Sequence, residues 1–222
     1  MDRPRNQIVA TETAPHVLLI TATDTVDGIT ATATITDVSV VVTRAAEDLI
    51  KVHAARVTVL PYDVSWADDF EKIKSEIEGA LGDLIVGVEH VGSTAVFGLS
   101  AKPCIDIDVI IRDYTVFDRV TRALETIGYY HEGDLGIAGR EAFGYTDKSH
   151  LKKHHLYVCP EDSEELRRHT TFRDFLRANP EAAEEYGRVK REAASLYPDD
   201  IDKYIEYKAP CIEAIYRRCG LK

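Results

Sequence analysis

Residues 88–111 constrain this chain more than any other stretch. They read VEHVGSTAVFGLSAKPCIDIDVII: an apolar run ending in Gly92-Ser93, a turn of small residues, then a second apolar run carrying Asp106 and Asp108. Twelve residues separate Ser93 from Asp106. In a β-strand, side chains two apart share a face, so Asp106 and Asp108 project together while Ile105, Ile107 and Val109 point into an apolar layer. Those facing residues mark an inner strand rather than one with a solvated face. Two adjacent carboxylates repel each other, and a divalent cation between them relieves the repulsion. Gly92 lets the backbone approach a phosphate, and N–H groups at the start of a short helix attract anions; Ser93 adds a hydroxyl donor. A Gly-Ser pair alone is an ordinary turn. Its combination with the aspartate pair is what predicts a Mg²⁺ site facing a phosphate-binding turn.

The surrounding pattern supplies a fold for that stretch. Val57-Thr58-Val59-Leu60 reads as a short strand or extended arm ending at Pro61. Ser65 is placed to cap a helix. Trp66, Phe70, Ile73, Ile77 and Leu81 then recur at three- and four-residue spacing, and Gly82 stops the run. Leu84 to Val91 reads as a strand, Thr94 to Leu99 as a short helix or turn, and Pro103 as the entry to the Asp106 strand. Val116, Phe117, Val120, Leu124 and Ile127 predict a second amphipathic helix ended by Gly128. Gly133 to Gly139 reads as a loop or hairpin, followed by strands at Glu141–Tyr145 and His154–Cys159.

From about residue 161 the chain is helical: one helix lined by Leu166, Phe172, Phe175 and Leu176, a second begun by Asn179-Pro180, and a third begun by Pro198-Asp199-Asp200. Pro210 is expected to kink or interrupt the third. The order predicts an α+β domain with a small mixed sheet and a helical C-terminal tail, spanning 57–222.

Residues 1–56 differ from the rest. All 11 Tyr, all six Phe, the single Trp and all four Cys lie beyond Arg56. The segment is rich in Thr, Ala and Val, and Ile29 to Ile35 alternates like a strand, with Asp27-Gly28 as a hairpin turn. It is read as a non-essential extension, either a β-appendage or a weakly structured lead. Met1 is the only methionine, so a later start would need another codon, Val57 being the candidate.

Composition narrows the function. A formal net charge of −11 argues against broad nucleic-acid binding, which needs clustered Lys and Arg, although one positive pocket suffices for a nucleotide. No apolar run is long enough to span a membrane, and the start lacks a signal-peptide pattern. Cys104, Cys159, Cys211 and Cys219 form no CxxC pair, which fits reduced thiols in a cytoplasmic protein. His150, His154 and His155 do not have zinc spacing. Lys102 is placed to neutralise phosphate or to form a surface ion pair. His90 either touches phosphate or caps its strand, and Arg140, Lys190 and Lys208 either face the cleft or are solvated.

The pattern apolar-Gly-Ser, 12 residues, Asp-apolar-Asp-apolar resembles the signature of the nucleotidyltransferase (polymerase beta-like) superfamily. The longer text HVGSTAVFGLSAKPCIDIDV resembles the GrpB family within it. So do VTVLPYDVSWADDF, Gly128-Tyr129, the His154-His155 strand, FRDFLRANPEAAEEYGRVKREAA and Tyr207-Lys208, over about residues 57–218. The resemblance implies that Gly92 and Ser93 hold a nucleoside triphosphate, with His90, Lys102 and Arg140 as further nucleotide contacts. It implies that Asp106 and Asp108 bind Mg²⁺ and that a nucleotidyl group passes to an acceptor.

A third carboxylate usually comes from a later strand, acting as base. Here that strand reads Lys153-His154-His155-Leu156-Tyr157, where His155 and Tyr157 share one face and stand at that place, His155 being either functional or a plain hydrogen-bonded strand histidine. Relatives tend to read His-Leu-His-Val, so Tyr157 stands where a second His is expected. The alternatives are a nucleotide-binding or regulatory module without transfer chemistry, and an interaction protein presenting its helical tail.

Overall fold

The computed structural model describes residues 56–221 and, nearer the start, the backbone of four strands: Gln7–Ala14 (β1), Val17–Thr23 (β2), Thr30–Thr36 (β3) and Ser39–Val41 (β4). These four pair antiparallel in sequential order, with Ala10 opposite Ile20 and Thr21 opposite Thr32. The alternating run anticipated from Ile29 to Ile35 is β3, whereas Asp27-Gly28 lies outside the described residues. Residues 1–56 and 57–222 are two separate compact units.

The second unit begins with helix α1 (Ser65–Leu81), whose apolar face of Trp66, Phe70, Ile73, Ile77 and Leu81 is wholly buried. Its start differs from the expectation. Val64 is the N-cap residue and Ser65 is already helical; the Asp63 carboxylate accepts the Ser65 N–H at 2.9 Å. The aspartate reaches two residues forward, which a carboxylate does as readily as a hydroxyl. Gly82, at φ 48°, ends the helix, and a 3₁₀ turn follows over Gly82–Leu84. Strand β5 therefore begins at Gly87, later than its apolar sequence suggests, and ends at Val91.

Strand β6 (Ile105–Ile111) precedes helix α2 (Phe117–Thr126), whose Val120 and Leu124 are buried. Strands β7 (Tyr129–Gly133), β8 (Glu141–Tyr145) and β9 (His154–Pro160) complete a sheet of order β5-β6-β9-β8-β7. The β6–β9 pair is parallel and the others antiparallel, giving a mixed sheet. Strand β7 was not anticipated. It is an edge strand whose middle residues are exposed, so its sequence carries no alternation; pairing with β8 alone defines it.

The tail is three helices: α3 (Glu164–Ala178), α4 (Pro180–Leu196) and α5 (Ile201–Arg218). Pro180 is the first residue of α4, but the Asn179 side chain makes no cap there; its amide donates back to the Phe175 carbonyl at 2.8 Å, closing α3 instead. Helix α5 runs through Pro210 without the interruption that is one of the two outcomes expected there. Proline removes one backbone N–H, and the helix buries Tyr204 before that point and Ile215 after it.

The main core joins the inner face of β6 (Ile105, Ile107, Val109, Ile111) to Trp66, Ile73 and Ile77 of α1, Leu124 of α2 and Leu156 of β9, each 0% exposed. Each such side chain contributes about 1.5–3 kcal/mol by leaving water. A second cluster packs Val96 and Leu99 against Leu176, Tyr186 and Ile215 of the tail. Arg173 of α3 donates to Glu89 and to the His90 carbonyl, and Arg177 donates to the Ala95 carbonyl at 2.8 and 3.0 Å. The tail is thus fastened to β5 and to the turn that follows Gly92.

Candidate functional site

Parallel pairing of β6 and β9 sets Asp106 opposite His155 and Asp108 opposite Tyr157. On the other side of β6, antiparallel pairing sets Val91 opposite Asp106, so the chain leaves β5 into the Gly92 turn directly beside that carboxylate. Gly92 has φ 69°, and a Cβ there would lie 2.2 Å from Asp106 Oδ2. Both the left-handed backbone and the close approach require glycine. A 3₁₀ turn over Ser93–Ala95 follows.

The two aspartates differ in environment. Asp106 is about one-third exposed and its Oδ1 accepts from His155 Nδ1 at 2.9 Å. That hydrogen bond, aided by one with Cys104, pushes His155 up to about 10, so the imidazole is protonated at neutral pH. Asp108 is 0% exposed. Its Oδ2 accepts from His169 Nδ1 of α3 at 2.8 Å, while its Oδ1 is buried without a partner. Burial raises the Asp108 pKa, and the His169 hydrogen bond opposes that rise.

A cavity of about 180 Å³ opens on this face, lined among others by Ser93, Lys102, Asp106, His155, Lys190 and Lys208. Lys190 of α4 is 2% exposed, and its Nζ has no hydrogen-bond partner, lying 4.4 Å from the Tyr186 ring centre. Burial holds its pKa well below the lysine range, and the neighbouring Lys208 lowers it further. Lys208 of α5 lies 4.8 Å from the Tyr204 ring and is likewise lowered by burial and then by Lys102. Three amines therefore converge across the cavity from Asp106.

Of the anticipated residues, Ser93, Lys102, Asp106 and His155 line this cavity; Gly92 and the fully buried Asp108 do not, and His90 and Arg140 are engaged elsewhere. His90 stacks on Phe70, with centroids 4.6 Å apart, and its Nε2 bonds Thr94 Oγ1 at 2.9 Å. Burial pushes it down to about 4, so it is neutral. It lines a different cavity of about 740 Å³ with Tyr62, Phe97 and Arg177, and Thr94 borders both cavities. Arg140 stacks on Tyr157 at 4.2 Å with its Nε buried and unpaired, and its charge lowers the Asp108 pKa. It does not line the smaller cavity.

His154 and His150 are structural: His154 bonds the Tyr129 hydroxyl at 2.7 Å, and His150 bonds Glu76 at 2.7 Å. His169 was not identified from the sequence. Its helix position carries no signal beyond Glu165 one turn earlier, and only packing of α3 on β5 and β9 brings it to Asp108.

The donor set fits Mg²⁺. Asp108 Oδ1 is a buried acceptor lacking a donor, beside a second carboxylate whose charge further disfavours its ionisation. Such an orphan costs free energy that a hard cation removes.

Fold and site together define an α+β domain in which an inner strand sets paired aspartates beside a glycine-serine turn. The chain belongs to the GrpB family, whose profile, described as GrpB protein, matches residues 56–218. The Glutamate-rich protein GrpB of Alkalihalophilus pseudofirmus is 32% identical over 170 residues, covering 75% of this chain and 98% of that protein. The UPF0157 protein YqkA of Bacillus subtilis is 32% identical over 153 residues, covering 69% of this chain but only 44% of its own length. The crystal structure of the conserved protein GrpB from Enterococcus faecalis superposes with a TM-score of 0.65 at 34% identity, covering 73% of this chain and 96% of the other. No helix among the described residues is long and apolar enough to cross a membrane.

Proposed function

We propose that this GrpB-family chain binds a nucleoside triphosphate with Mg²⁺ and transfers its nucleotidyl group to an acceptor in the cytoplasm. The observation that carries the reading is the unpaired, buried Oδ1 of Asp108 two residues along β6 from Asp106, the carboxylate that lies against a glycine turn too closely for any Cβ. Asp106 and Asp108 hold the cation, which would polarise phosphate oxygens and neutralise charge developing on them. The Gly92-Ser93 turn offers backbone N–H groups and a hydroxyl to phosphate, while Lys102, Lys190 and Lys208 line the same cavity and offer amine donors, the two whose pKa burial lowers taking up charge when an anion pairs with them.

The smaller cavity, at about 180 Å³, takes phosphate groups rather than a whole nucleotide, since ligand pockets run to about 300–1,000 Å³. The larger cavity, at about 740 Å³ and edged by the Tyr62–Phe97 ring pair, has room for the nucleoside or the acceptor.

One observation favours a second reading, a nucleotide-binding module without transfer. Strand β9 carries no acid, Tyr157 is covered by Arg140, and His155 is protonated and committed to Asp106, so none of them is a ready base. Thermal-shift measurements with each nucleoside triphosphate, with and without Mg²⁺, on wild type and Asp106→Asn test the site. Metal-dependent stabilisation that the variant loses is expected, and no shift with any nucleotide would refute both readings. Pyrophosphate release on adding candidate acceptors then separates enzyme from binder.

A further inference from the structure

Asp106 has two other metal-binding neighbours that Mg²⁺ chemistry leaves unused. Cys104, Asp106 and His155 each offer one donor atom, and the three atoms lie within 4.8 Å of one another. Their convergence has a local cause. Cys104 immediately precedes β6, two residues before Asp106, and His155 is the residue opposite Asp106 on the parallel strand. Gly92 places no side chain against Asp106, and all three donor residues line the cavity that Lys190 and Lys208 also line.

We infer that Cys104, Asp106 and His155 form a three-ligand site for a thiophilic divalent cation, zinc in particular, with a fourth position open toward Lys190 and Lys208. Thiolate, carboxylate and imidazole are the mixed S, O and N donors that zinc accepts in catalytic, open sites, whereas Mg²⁺ takes oxygen. Tetrahedral zinc places its ligands about 3.3–3.7 Å apart, against donor atoms that now lie within 4.8 Å of one another, and binding replaces the 2.9 Å hydrogen bond between His155 and Asp106. Thiolate and carboxylate together balance the cation's charge. Loading exchanges the thiol proton and the proton His155 gives Asp106 for the metal. The lysine wall then favours an anionic fourth ligand, such as hydroxide or a phosphate oxygen.

The inference shares Asp106 and the cavity with the proposed nucleotide site, but its test uses no nucleotide. Failure of metal binding leaves nucleotide stabilisation to be judged separately, and the reverse also holds. The full chain, stripped with chelator, is titrated with Co²⁺ as a spectroscopic substitute and with Zn²⁺ against a chromogenic chelator. Wild type should bind one equivalent and show a sulfur-to-cobalt charge-transfer band with tetrahedral d–d absorption. Cys104→Ser should abolish that band and weaken Zn²⁺ at least tenfold, with His155→Gln also weakening it, while Cys211→Ser keeps both properties. Circular dichroism confirms that each variant folds. No charge-transfer band in wild type, a band surviving Cys104→Ser, or one lost in Cys211→Ser would overturn the site.

Discussion

Replacing Asp108 by Asn separates a functional carboxylate from a structural one, because the two roles predict opposite changes in stability. Asp108 is 0% exposed, its Oδ1 has no partner, and its Oδ2 holds one hydrogen bond from His169. Burying an unsatisfied charged acceptor costs about 1–3 kcal/mol, and neutralising it removes most of that. The asparagine carbonyl can still accept from His169, but a neutral acceptor gives up about 1 kcal/mol relative to a carboxylate. The net expectation is that Asp108→Asn is neutral or about 1 kcal/mol more stable than wild type, while losing Mg²⁺-dependent stabilisation.

The sign with pH follows from the raised Asp108 pKa. The folded state holds this proton to higher pH than the unfolded chain, so wild-type stability falls as pH rises above about 4. The variant's advantage should therefore be present at pH 7 and vanish in acid.

Trp66 is the single tryptophan and is 0% exposed, so its fluorescence reports unfolding of the 57–222 unit alone. With a urea slope of roughly 2 kcal/mol/M, the midpoint should rise by up to about 0.5 M. A midpoint that falls by more than 0.5 M would show that Asp108 is retained for structure, and an undiminished Mg²⁺ effect would remove it from the metal site.

Two further perturbations follow from the same geometry. Gly92→Ala places a Cβ 2.2 Å from Asp106 Oδ2 at a left-handed φ. It should cost about 1–3 kcal/mol in urea melts and abolish nucleotide stabilisation; a wild-type nucleotide shift would show that the close approach is dispensable. His90 takes a proton near 4 in the fold but near 6.5 when unfolded. Its contribution is complete above pH 6.5 and is lost as pH falls toward 4, on the order of 1–3 kcal/mol. His90→Gln should flatten the stability profile between pH 6.5 and 4.5 relative to wild type, and parallel profiles would place the acid sensitivity elsewhere.

Much of this architecture is written in local periodicity. The helical faces of α1 and α2 and the alternation of Ile105, Asp106, Ile107 and Asp108 are legible because burial of one face imposes a period on the chain. The Gly92 turn is legible because only glycine meets its backbone demand. Boundaries were less so: Asp63 rather than Ser65 serves the start of α1, and Asn179 closes the helix behind it, since which backbone N–H or carbonyl a short polar side chain reaches depends on local φ and ψ. Edge strand β7 left no trace because an exposed strand needs no apolar alternation.

The sequence by itself determined that two aspartates would share one face of an inner strand after a glycine-serine turn. Only the tertiary structure decided what surrounds them: His155 across a parallel pairing, His169 from α3, and Lys190 and Lys208 from α4 and α5. Those partners lie 49 to 102 positions from the aspartates (Asp106 to His155, Asp106 to Lys208). Periodicity specifies which face of an element is buried but not which element covers it, so the charge and the donors that give this site its chemistry appear only when the sheet and the helical tail close around it.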